Sequence, residues 1–383
     1  MSITQAVPQS TSHSAVDPDG LQEFSVVFTD RSLNHMSARF QSVMRTLGSE
    51  LKGVYNADAV ALVPGGGTYA MEAVARQVAT DKKVLIVRNG WFSFRWSQIL
   101  DAGNMTSDRV VMKAHRQSDD AHAPFAPAPI EEVTARIAAE KPDVVFAPHV
   151  ETSAGVILPD DYLTAIGAAA HEVGAIFVLD CIASGCIWVD MAKTNVDLLI
   201  TAPQKGWSAT PCTGAVLMSE RGLERVKGSK STSFACDLGK WREIMEAYEN
   251  GGHAYHATMP TDGIVQFYEG LLETKERGFN TMRDAQWELG NKVRALLSER
   301  GFRSVAADGF GAPGVVVSYT DDPAVKNGSK FAAQGMQIAA GVPLECDEPE
   351  GFSTFRIGLF GVDKLNDIDG AVARLSAALD GLG

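Results

Sequence analysis

The chain has 383 residues, of which 45% are hydrophobic and 21% are charged, as is ordinary for a soluble globular enzyme. Its formal net charge of −13 argues against binding to nucleic acid or to an anionic membrane surface, since both need a basic surface. The sequence has no run of about 18 apolar residues, so we expect no segment that spans a membrane.

The cysteines and the N-terminus both favour a cytoplasmic protein. The five cysteines are odd in number, and their spacing fits neither a CxxC pair nor a metal-binding cluster, so we expect no metal site. Reduced thiols are the simplest interpretation. Residues 1–20 are polar and lack the apolar run of a secretion signal, which predicts a loose N-terminal arm.

Strand-like and helix-like segments alternate through the first two-thirds of the chain. The predicted strands are 58–63, 83–87, 143–147, 175–179, 196–201 and 214–218, and the predicted helices are 69–79, 130–140 and 162–173. Strands separated by helices indicate an α/β fold with a mostly parallel central sheet flanked by helices. We assign residues 21–265 to a large domain of this kind.

The pattern changes after residue 260. A long charged helix is predicted over 261–300, followed by strands at 314–318 and 354–358 and a terminal helix at 366–379. This order predicts a smaller C-terminal α+β domain, residues 266–383, which includes the long helix.

Lys205 is the first candidate for chemistry, because it follows the predicted strand 196–201 in a bend rich in proline and glycine. Ligands of open α/β sheets bind at the carboxyl ends of the strands. A lysine partly removed from water loses its proton more easily, so it can attack a carbonyl and form a Schiff base. The alternative is an ordinary solvated lysine.

Asp180 is the second candidate, because it closes the predicted strand 175–179 and lies 25 residues before Lys205. A carboxylate at the end of a buried strand is costly unless it has a partner. It could keep a ring nitrogen of a cofactor protonated. A helix cap or a structural ion pair is the alternative.

A glycine-rich turn, Pro64-Gly65-Gly66-Gly67-Thr68, separates a predicted strand from a predicted helix. Glycines let the backbone approach a ligand, and a helix N-terminus offers free N–H groups to an anion. The turn lacks the third glycine of a dinucleotide fingerprint and the Gly-Lys of a P-loop. A plain tight turn is the alternative.

Three further segments carry residues suited to a site. The loop 149–155 (His-Val-Glu-Thr-Ser-Ala-Gly) is a polar cluster after a predicted strand, although its side chains could simply satisfy loop backbone groups. The loop 89–96 holds four aromatic residues that could stack on a planar ring or pack in the core. Arg356 lies between apolar neighbours and suits a substrate carboxylate or a structural acid.

These motifs, taken in chain order, resemble the class V aminotransferases of pyridoxal-phosphate fold type I, and in particular the alanine–glyoxylate and serine–pyruvate aminotransferases. The resemblance covers roughly residues 30 to 380. It implies that Lys205 forms a Schiff base with pyridoxal 5′-phosphate and that Asp180 is the partner of the pyridine nitrogen. It also implies that Phe92 stacks on the cofactor ring and that Thr152 contacts its phenolic oxygen.

The resemblance further implies how the phosphate and the substrate are held. The residues that resemble phosphate contacts within one chain are Gly66, Gly67, Thr68 and Gln204. Tyr255 and Thr258 resemble the pair that reaches the phosphate from the neighbouring subunit, which implies a homodimer with shared active sites. Arg356 resembles the clamp for the substrate α-carboxylate.

The reaction implied is transamination between a small L-amino acid and a 2-oxo acid such as glyoxylate or pyruvate, by Schiff base exchange at Lys205. The family usually begins with a Gly-Pro-Gly-Pro type loop that approaches the substrate. Residues 24–36 of this chain have a different sequence, which leaves the preference for the amino-acid side chain open.

Two other functions stay open on the same fold. The first is a lyase or cysteine desulfurase reaction. Desulfurases of the family usually place histidine directly before the lysine and carry a mobile nucleophilic cysteine, whereas this chain has Gln204 at that position and only Cys346 as a candidate. The second is a non-catalytic protein that kept the fold, and the presence of Lys205, Asp180 and Arg356 argues against it.

Overall fold

The computed structural model describes residues 17–382, so most of the predicted N-terminal arm, residues 1–16, lies outside the described residues. The helices are α1 (Ala38–Tyr55), α2 (Gly67–Val78), α3 (Trp91–Ala102), α4 (Ile130–Glu140), α5 (Asp160–Glu172), α6 (Met191–Thr194), α7 (Glu220–Lys227), α8 (Leu238–Glu249), α9 (Thr261–Arg277), α10 (Phe279–Glu299), α11 (Pro323–Lys326), α12 (Ser329–Ala333), α13 (Val362–Asn366) and α14 (Ile368–Asp380). The strands are β1 (Ala59–Pro64), β2 (Val84–Arg88), β3 (Arg109–Lys113), β4 (His115–Arg116), β5 (Phe125–Ala126), β6 (Val144–Pro148), β7 (Val150–Glu151), β8 (Val156–Ile157), β9 (Ile176–Asp180), β10 (Leu198–Thr201), β11 (Thr213–Met218), β12 (Val315–Tyr319), β13 (Ala339–Ala340) and β14 (Thr354–Gly358).

A seven-stranded sheet forms the centre of the chain, with the strand order β1-β11-β10-β9-β6-β2-β3. The neighbours from β10 through β9, β6 and β2 to β3 pair in parallel, and only β11 runs antiparallel to both of its neighbours. Strands β2, β6, β9 and β10 are buried along their whole length, as expected where helices cover both faces of a parallel sheet. The predicted mostly parallel α/β fold is therefore confirmed.

The parallel arrangement brings several loops to one edge of the sheet. The carboxyl ends of β2, β6, β9 and β10 lie side by side because these strands run in the same direction. Strand β1 ends at the same edge, since β11 reverses the direction between β10 and β1. The segments that follow these strands are those singled out by the sequence, so the topology collects them in one place.

The C-terminal part has a second, smaller sheet of strands β12, β14 and β13, all antiparallel. Helices α10, α13 and α14 pack with this sheet around a separate apolar cluster that includes Leu289, Phe355 and Leu375. The predicted single helix over 261–300 is wrong, because α9 and α10 are separate helices divided at Gly278. This glycine has φ 90°, which other residues adopt only with strain.

The expected loop over residues 89–96 is also wrong, because Trp91 begins helix α3. The helix starts where the Glu151 carboxylate accepts hydrogen bonds from the backbone N–H groups of Phe92 and Ser93. An acceptor so distant in the sequence leaves no local signal for a helix start. Helix α1 and the half-buried edge strand β3 are further elements that the sequence analysis did not assign. Within residues 17–382 no helix has both the length and the apolar character needed to cross a membrane.

Candidate active site

A cavity of about 290 Å³ lies at the edge where the parallel strands end. The sequence-predicted site residues that line it are Gly66, Gly67, Thr68, Phe92, Thr152, Asp180, Gln204 and Lys205. They come from five separate segments of the chain. The fold therefore brings together every one of the predicted cofactor contacts that were assigned to a single subunit.

Lys205 is half-buried in this cavity, in the turn that follows β10. Burial lowers the pKa of its amine, and the positive charge of Arg356 lowers it further. The Nζ atom lies 4.8 Å from the centroid of the Phe360 ring, so an aromatic face covers one side of the amine. An amine that holds its proton weakly is a better nucleophile toward a carbonyl carbon.

Asp180 ends β9 and is only 7% exposed. Burial raises the pKa of its carboxyl to about 7, although a hydrogen bond of 2.9 Å from the backbone N–H of Ile182 opposes the shift. A carboxylate in this position is stabilised by a nearby cation or by a charged hydrogen-bond donor. A protonated ring nitrogen in the cavity would satisfy both conditions.

The start of helix α2 forms one wall of the cavity. Its N-cap residue, Gly66, has extended backbone and provides no side-chain cap, so the first N–H groups of the helix stay free for a ligand. A Cβ atom added to Gly66 would meet nothing within 4 Å, whereas one added to Gly67 would lie 2.4 Å from Cδ1 of Ile182. The space beside Gly66 is therefore open, whereas the absence of a side chain at Gly67 lets Ile182 pack closely against the helix.

Glu151 fixes the geometry of the opposite wall. Its fully buried carboxylate accepts hydrogen bonds from the backbone N–H groups of Phe92, Ser93 and Ser153, at 3.1, 2.9 and 3.1 Å, and from the hydroxyls of both serines. The carboxylate lies at the N-terminus of α3, where the helix dipole favours negative charge. It thereby joins the helix that carries Phe92 to the loop that carries Thr152.

His149 precedes this loop and plays a different part. Its ring is buried, and Nδ1 lies 2.7 Å from the Ser184 hydroxyl. Burial lowers the pKa of the imidazole to about 3, so it is neutral near pH 7. It does not line the cavity, and its contacts are those of a structural residue.

Arg356 lies on β14, close to the cavity but outside its lining. Its Nε donates a hydrogen bond of 2.9 Å to the Ala340 carbonyl, and its Cζ is 5.5 Å from the centroid of the Phe92 ring. Within residues 17–382 it forms no salt bridge, although the Glu151 carboxylate is near enough to raise its pKa against the larger, lowering effect of burial. A guanidinium in this position suits a ligand carboxylate.

Tyr255 and Thr258 lie outside this cavity. Both side chains are exposed, and their hydroxyl oxygens are 3.0 Å apart. Their exposure within one chain is compatible with contact to a second copy. The Tyr255 ring also packs against His35, with 5.6 Å between the ring centroids. The segment 24–36, whose sequence differs from the usual family loop, therefore lies next to this pair.

Cys346 was the candidate nucleophile of a desulfurase, and its environment opposes that role. It is 3% exposed, and its Sγ contacts the Arg88 carbonyl at 3.4 Å. Burial raises the pKa of its thiol to about 12, whereas a reactive cysteine needs an accessible thiolate. Burial also raises the pKa of the other four cysteine thiols.

Sequence reasoning missed several residues of the site, namely Tyr69, Met71, Arg95, Val150, Ile182 and Ala183, which line the cavity, and Phe360, which covers Lys205. Arg95 could have been found by reading residues 91–102 as a helix, because Phe92 and Arg95 are then three positions apart on one face. Ile182 follows Asp180 by two residues, but an apolar residue in a loop gives no signal of its own.

Comparison with known proteins gives the family. The family model described as aminotransferase class-V matches residues 21–316. Alanine–glyoxylate aminotransferase 1 of Saccharomyces cerevisiae is 27% identical over an alignment that covers 88% of each chain. A protein of Synechococcus sp. described as the small subunit of a soluble hydrogenase is 26% identical, over 92% of this chain and 88% of that protein.

Comparison with solved structures gives the same fold. The crystal structure of an alanine–glyoxylate aminotransferase from Nostoc sp. aligns with a TM-score of 0.76 at 21% identity and covers 91% of this chain and 88% of its own. The central sheet and the smaller C-terminal sheet are therefore those of pyridoxal-phosphate fold type I. Since the family model covers most of its length, this chain belongs to the class V aminotransferases.

Proposed function

We propose that this chain catalyses pyridoxal-phosphate-dependent transamination between a small L-amino acid and a 2-oxo acid, with Lys205 as the residue that binds the cofactor covalently. One observation carries the proposal: a buried acid, Asp180, and a partly desolvated lysine, Lys205, line one cavity whose wall is an uncapped helix N-terminus. The three features suit three different parts of one cofactor molecule.

The described residues fit that cofactor. The free N–H groups at the start of α2 and the Thr68 hydroxyl suit a phosphate ester. Gln204 lines the same cavity, and its side-chain NH₂ group could donate a hydrogen bond to a phosphate oxygen. Asp180 suits the protonated ring nitrogen and Lys205 suits the aldehyde.

When it is bound, pyridoxal phosphate supplies an electron sink for the carbon next to the substrate nitrogen. The other steps belong to the chain. The Lys205 amine acts as general base and then as general acid, taking the α-proton of the substrate and returning it. Asp180 would hold the proton of the ring nitrogen, and the Phe92 ring, which lines the same cavity, would bind the cofactor ring. Arg356 binds the α-carboxylate and so turns the α-hydrogen toward Lys205.

Further phosphate contacts come, in our proposal, from a second copy of the chain. Tyr255 and Thr258 would reach the neighbouring cavity, which makes the enzyme a homodimer with shared active sites. Exposed apolar side chains in the N-terminal segment support a contact with a second copy, since Phe24 and Val26 are 88% and 102% exposed. The large domain (residues 21–265), the small domain (266–383) and a cytoplasmic location with reduced cysteines are part of the same proposal.

We propose glyoxylate or pyruvate as the amino acceptor and a small amino acid as the donor. The likeness to the alanine–glyoxylate aminotransferase of yeast supports the first choice. The segment 24–36, which differs from the usual family sequence, packs beside Tyr255 and is where we expect the donor preference to be set.

A spectroscopic screen tests the proposal. The purified chain is supplied with pyridoxal phosphate, and single amino acids are added while the absorbance of the bound cofactor is recorded. Transamination predicts a loss of the visible band with the correct donor alone, and recovery on adding glyoxylate, pyruvate, oxaloacetate or 2-oxoglutarate. Sulfide release from cysteine without a 2-oxo acid would favour the lyase alternative. A cofactor band that no amino acid changes would favour the non-catalytic alternative.

A further inference from the structure

The cavity contains a positively charged side chain that the reaction scheme above does not use. Among the described side chains that line it, the cationic ones are Lys205 and Arg95. Lys205 would be joined to the cofactor aldehyde, so it is already assigned to another part of that molecule. The carboxylate of Asp180 would balance the positive charge of the protonated ring nitrogen. Arg95 is then a guanidinium without an assigned anion.

The position of Arg95 points to one end of the cavity. Arg95 lies on α3, three residues after Phe92, and its Nη1 donates a hydrogen bond of 3.2 Å to the Thr68 hydroxyl. Thr68 belongs to the first turn of α2, whose N–H groups have no side-chain cap. Within residues 17–382 Arg95 forms no salt bridge to a carboxylate. Its charge is therefore available at the place where the helix N-terminus already favours an anion.

The chemistry of a phosphate ester requires such a charge. A phosphate monoester carries a charge of about −1.5 to −2 near pH 7. The groups proposed to hold it are the backbone N–H groups of α2, the Gln204 amide and the hydroxyls of Thr68, Tyr255 and Thr258, and all of them are uncharged. A guanidinium presents two parallel N–H donors that match two phosphate oxygens, and it is less strongly hydrated than an ammonium.

We propose that Arg95 supplies the positive charge that binds the phosphate of the cofactor, acting together with Thr68; this inference rests on the proposed function. Two weaker roles compete with it. The Arg95 Cζ atom lies 4.9 Å from the centroid of the Phe92 ring, so the side chain could serve only to support that ring. Its charge also lowers the pKa of Asp180, although burial has the larger effect.

Binding of two aldehydes to the apoenzyme separates these roles. Pyridoxal lacks the phosphate of pyridoxal phosphate but has the same ring and aldehyde. Dissociation constants for both are measured by quenching of tryptophan fluorescence in the wild type and in Arg95→Met, which removes the charge but keeps an apolar stem against Phe92. Arg136→Met removes one positive charge from an exposed site on α4 and is the matched control.

We expect Arg95→Met to reduce the preference for pyridoxal phosphate over pyridoxal by about 10- to 100-fold, the range for loss of a charge-assisted hydrogen bond. Pyridoxal itself should bind as in the wild type, and Arg136→Met should change neither constant. Arg95→Lys keeps the charge without the planar fork, so its preference should lie between those of the wild type and Arg95→Met. If Arg95→Met does not fold, the comparison of the wild type with Arg95→Lys tests the inference instead.

Three results would overturn the inference. Equal weakening of both aldehydes would show that Arg95 acts through Phe92 or Asp180. An unchanged preference in Arg95→Met and Arg95→Lys would show that the phosphate does not use this charge. A wild-type chain that binds neither aldehyde would overturn the proposed function itself, and this inference with it.

Discussion

The cavity at the strand ends and the surface around residues 21–36 depart in opposite ways from the usual burial of apolar side chains and exposure of polar ones. In the cavity, polar groups are buried with few partners, as for Asp180 at 7% exposure. On the surface, apolar side chains are exposed, as for Phe24 at 88% and Val26 at 102%. The first pattern is typical of a site that binds a charged small molecule, and the second is typical of a surface that binds another protein. The contrast is expected if the proposed dimer forms, because the chain then makes one contact with a small molecule and one with another protein.

Removal of the Lys205 amine should have the largest effect on the cavity as a binding and catalytic site. Lys205→Ala should abolish the visible absorbance of bound cofactor and lower the transamination rate by about 10⁴-fold, because the general base and the covalent attachment are lost together. Stopped assays with the best donor and acceptor measure the rate. Lys275→Ala, which removes a surface lysine paired with Glu50, is the control and should behave as wild type. Turnover equal to wild type in Lys205→Ala would contradict the proposal.

Replacement of Asp180 should have opposite effects on the activity of the enzyme and on the stability of the apoenzyme. Its folded pKa of about 7 lies above the ordinary value for an unfolded chain, so the folded state holds a proton that the unfolded state has lost. This contribution to stability is complete below about pH 4 and is lost as the pH rises through about 7. The wild-type apoenzyme should therefore lose up to about 4 kcal/mol relative to Asp180→Asn between pH 4 and pH 8.

Urea unfolding of the two apoenzymes at several pH values measures this difference. The same variant should transaminate about 10²- to 10³-fold more slowly, because the proton on the ring nitrogen is no longer held by a charge. A pH-independent difference in unfolding free energy would show that the buried carboxyl titrates normally. An Asp180→Asn variant that is less stable than the wild type at pH 8 and yet fully active would contradict both expectations.

The sequence was most informative where a polar residue ends an apolar strand. Asp180 and Lys205 follow runs of buried residues, and the turn 64–68 separates a strand from a helix, so each could be placed at the ligand-binding edge from local pattern alone. The largely parallel sheet followed from the alternation of the same elements. These predictions depend on neighbours in the sequence, and a local pattern is sufficient for them.

Arg95 and Glu151 could not be placed in the same way. The Glu151 carboxylate begins helix α3 by binding Ser93, which is 58 residues away in the sequence. The segment 89–96 therefore looked like a loop, and Arg95 was not recognised as sharing a face with Phe92. Gly278 is a similar case, because a glycine within a charged helical pattern is usually tolerated. Its positive φ of 90° divides α9 from α10.

Glu151 offers a smaller test of the same cavity. In Glu151→Gln one carboxylate oxygen becomes an NH₂ group, which cannot accept from the N–H and hydroxyl of Ser93. We expect a loss of about 2–3 kcal/mol in unfolding free energy and weaker cofactor binding, since the first turn of α3 carries Phe92. Glu132→Gln, in the exposed first turn of α4, should cost less than about 1 kcal/mol. Equal effects of the two variants in urea unfolding would contradict the role given to Glu151.

The exposed surface provides the mildest test, since it should leave the folded chain intact. Val26→Asp places a charge on a side chain that is fully exposed in one chain, so the unfolding free energy of a monomer should hardly change. If this surface binds a second copy, burial of the charge should weaken the dimer by about 10- to 100-fold. Sedimentation velocity over a range of concentrations should then show species of 40.9 kDa that the wild type lacks.

Activity completes the argument for Val26→Asp. Because Tyr255 and Thr258 are proposed to act in the neighbouring cavity, cofactor affinity should fall together with dimerisation and recover at high protein concentration. Ala135→Asp, at an exposed position on α4, is the matched control and should change neither property. A Val26→Asp protein that dimerises like the wild type would remove residues 21–36 from the interface. A variant that is monomeric yet binds cofactor normally would show instead that each cavity is complete within its own chain.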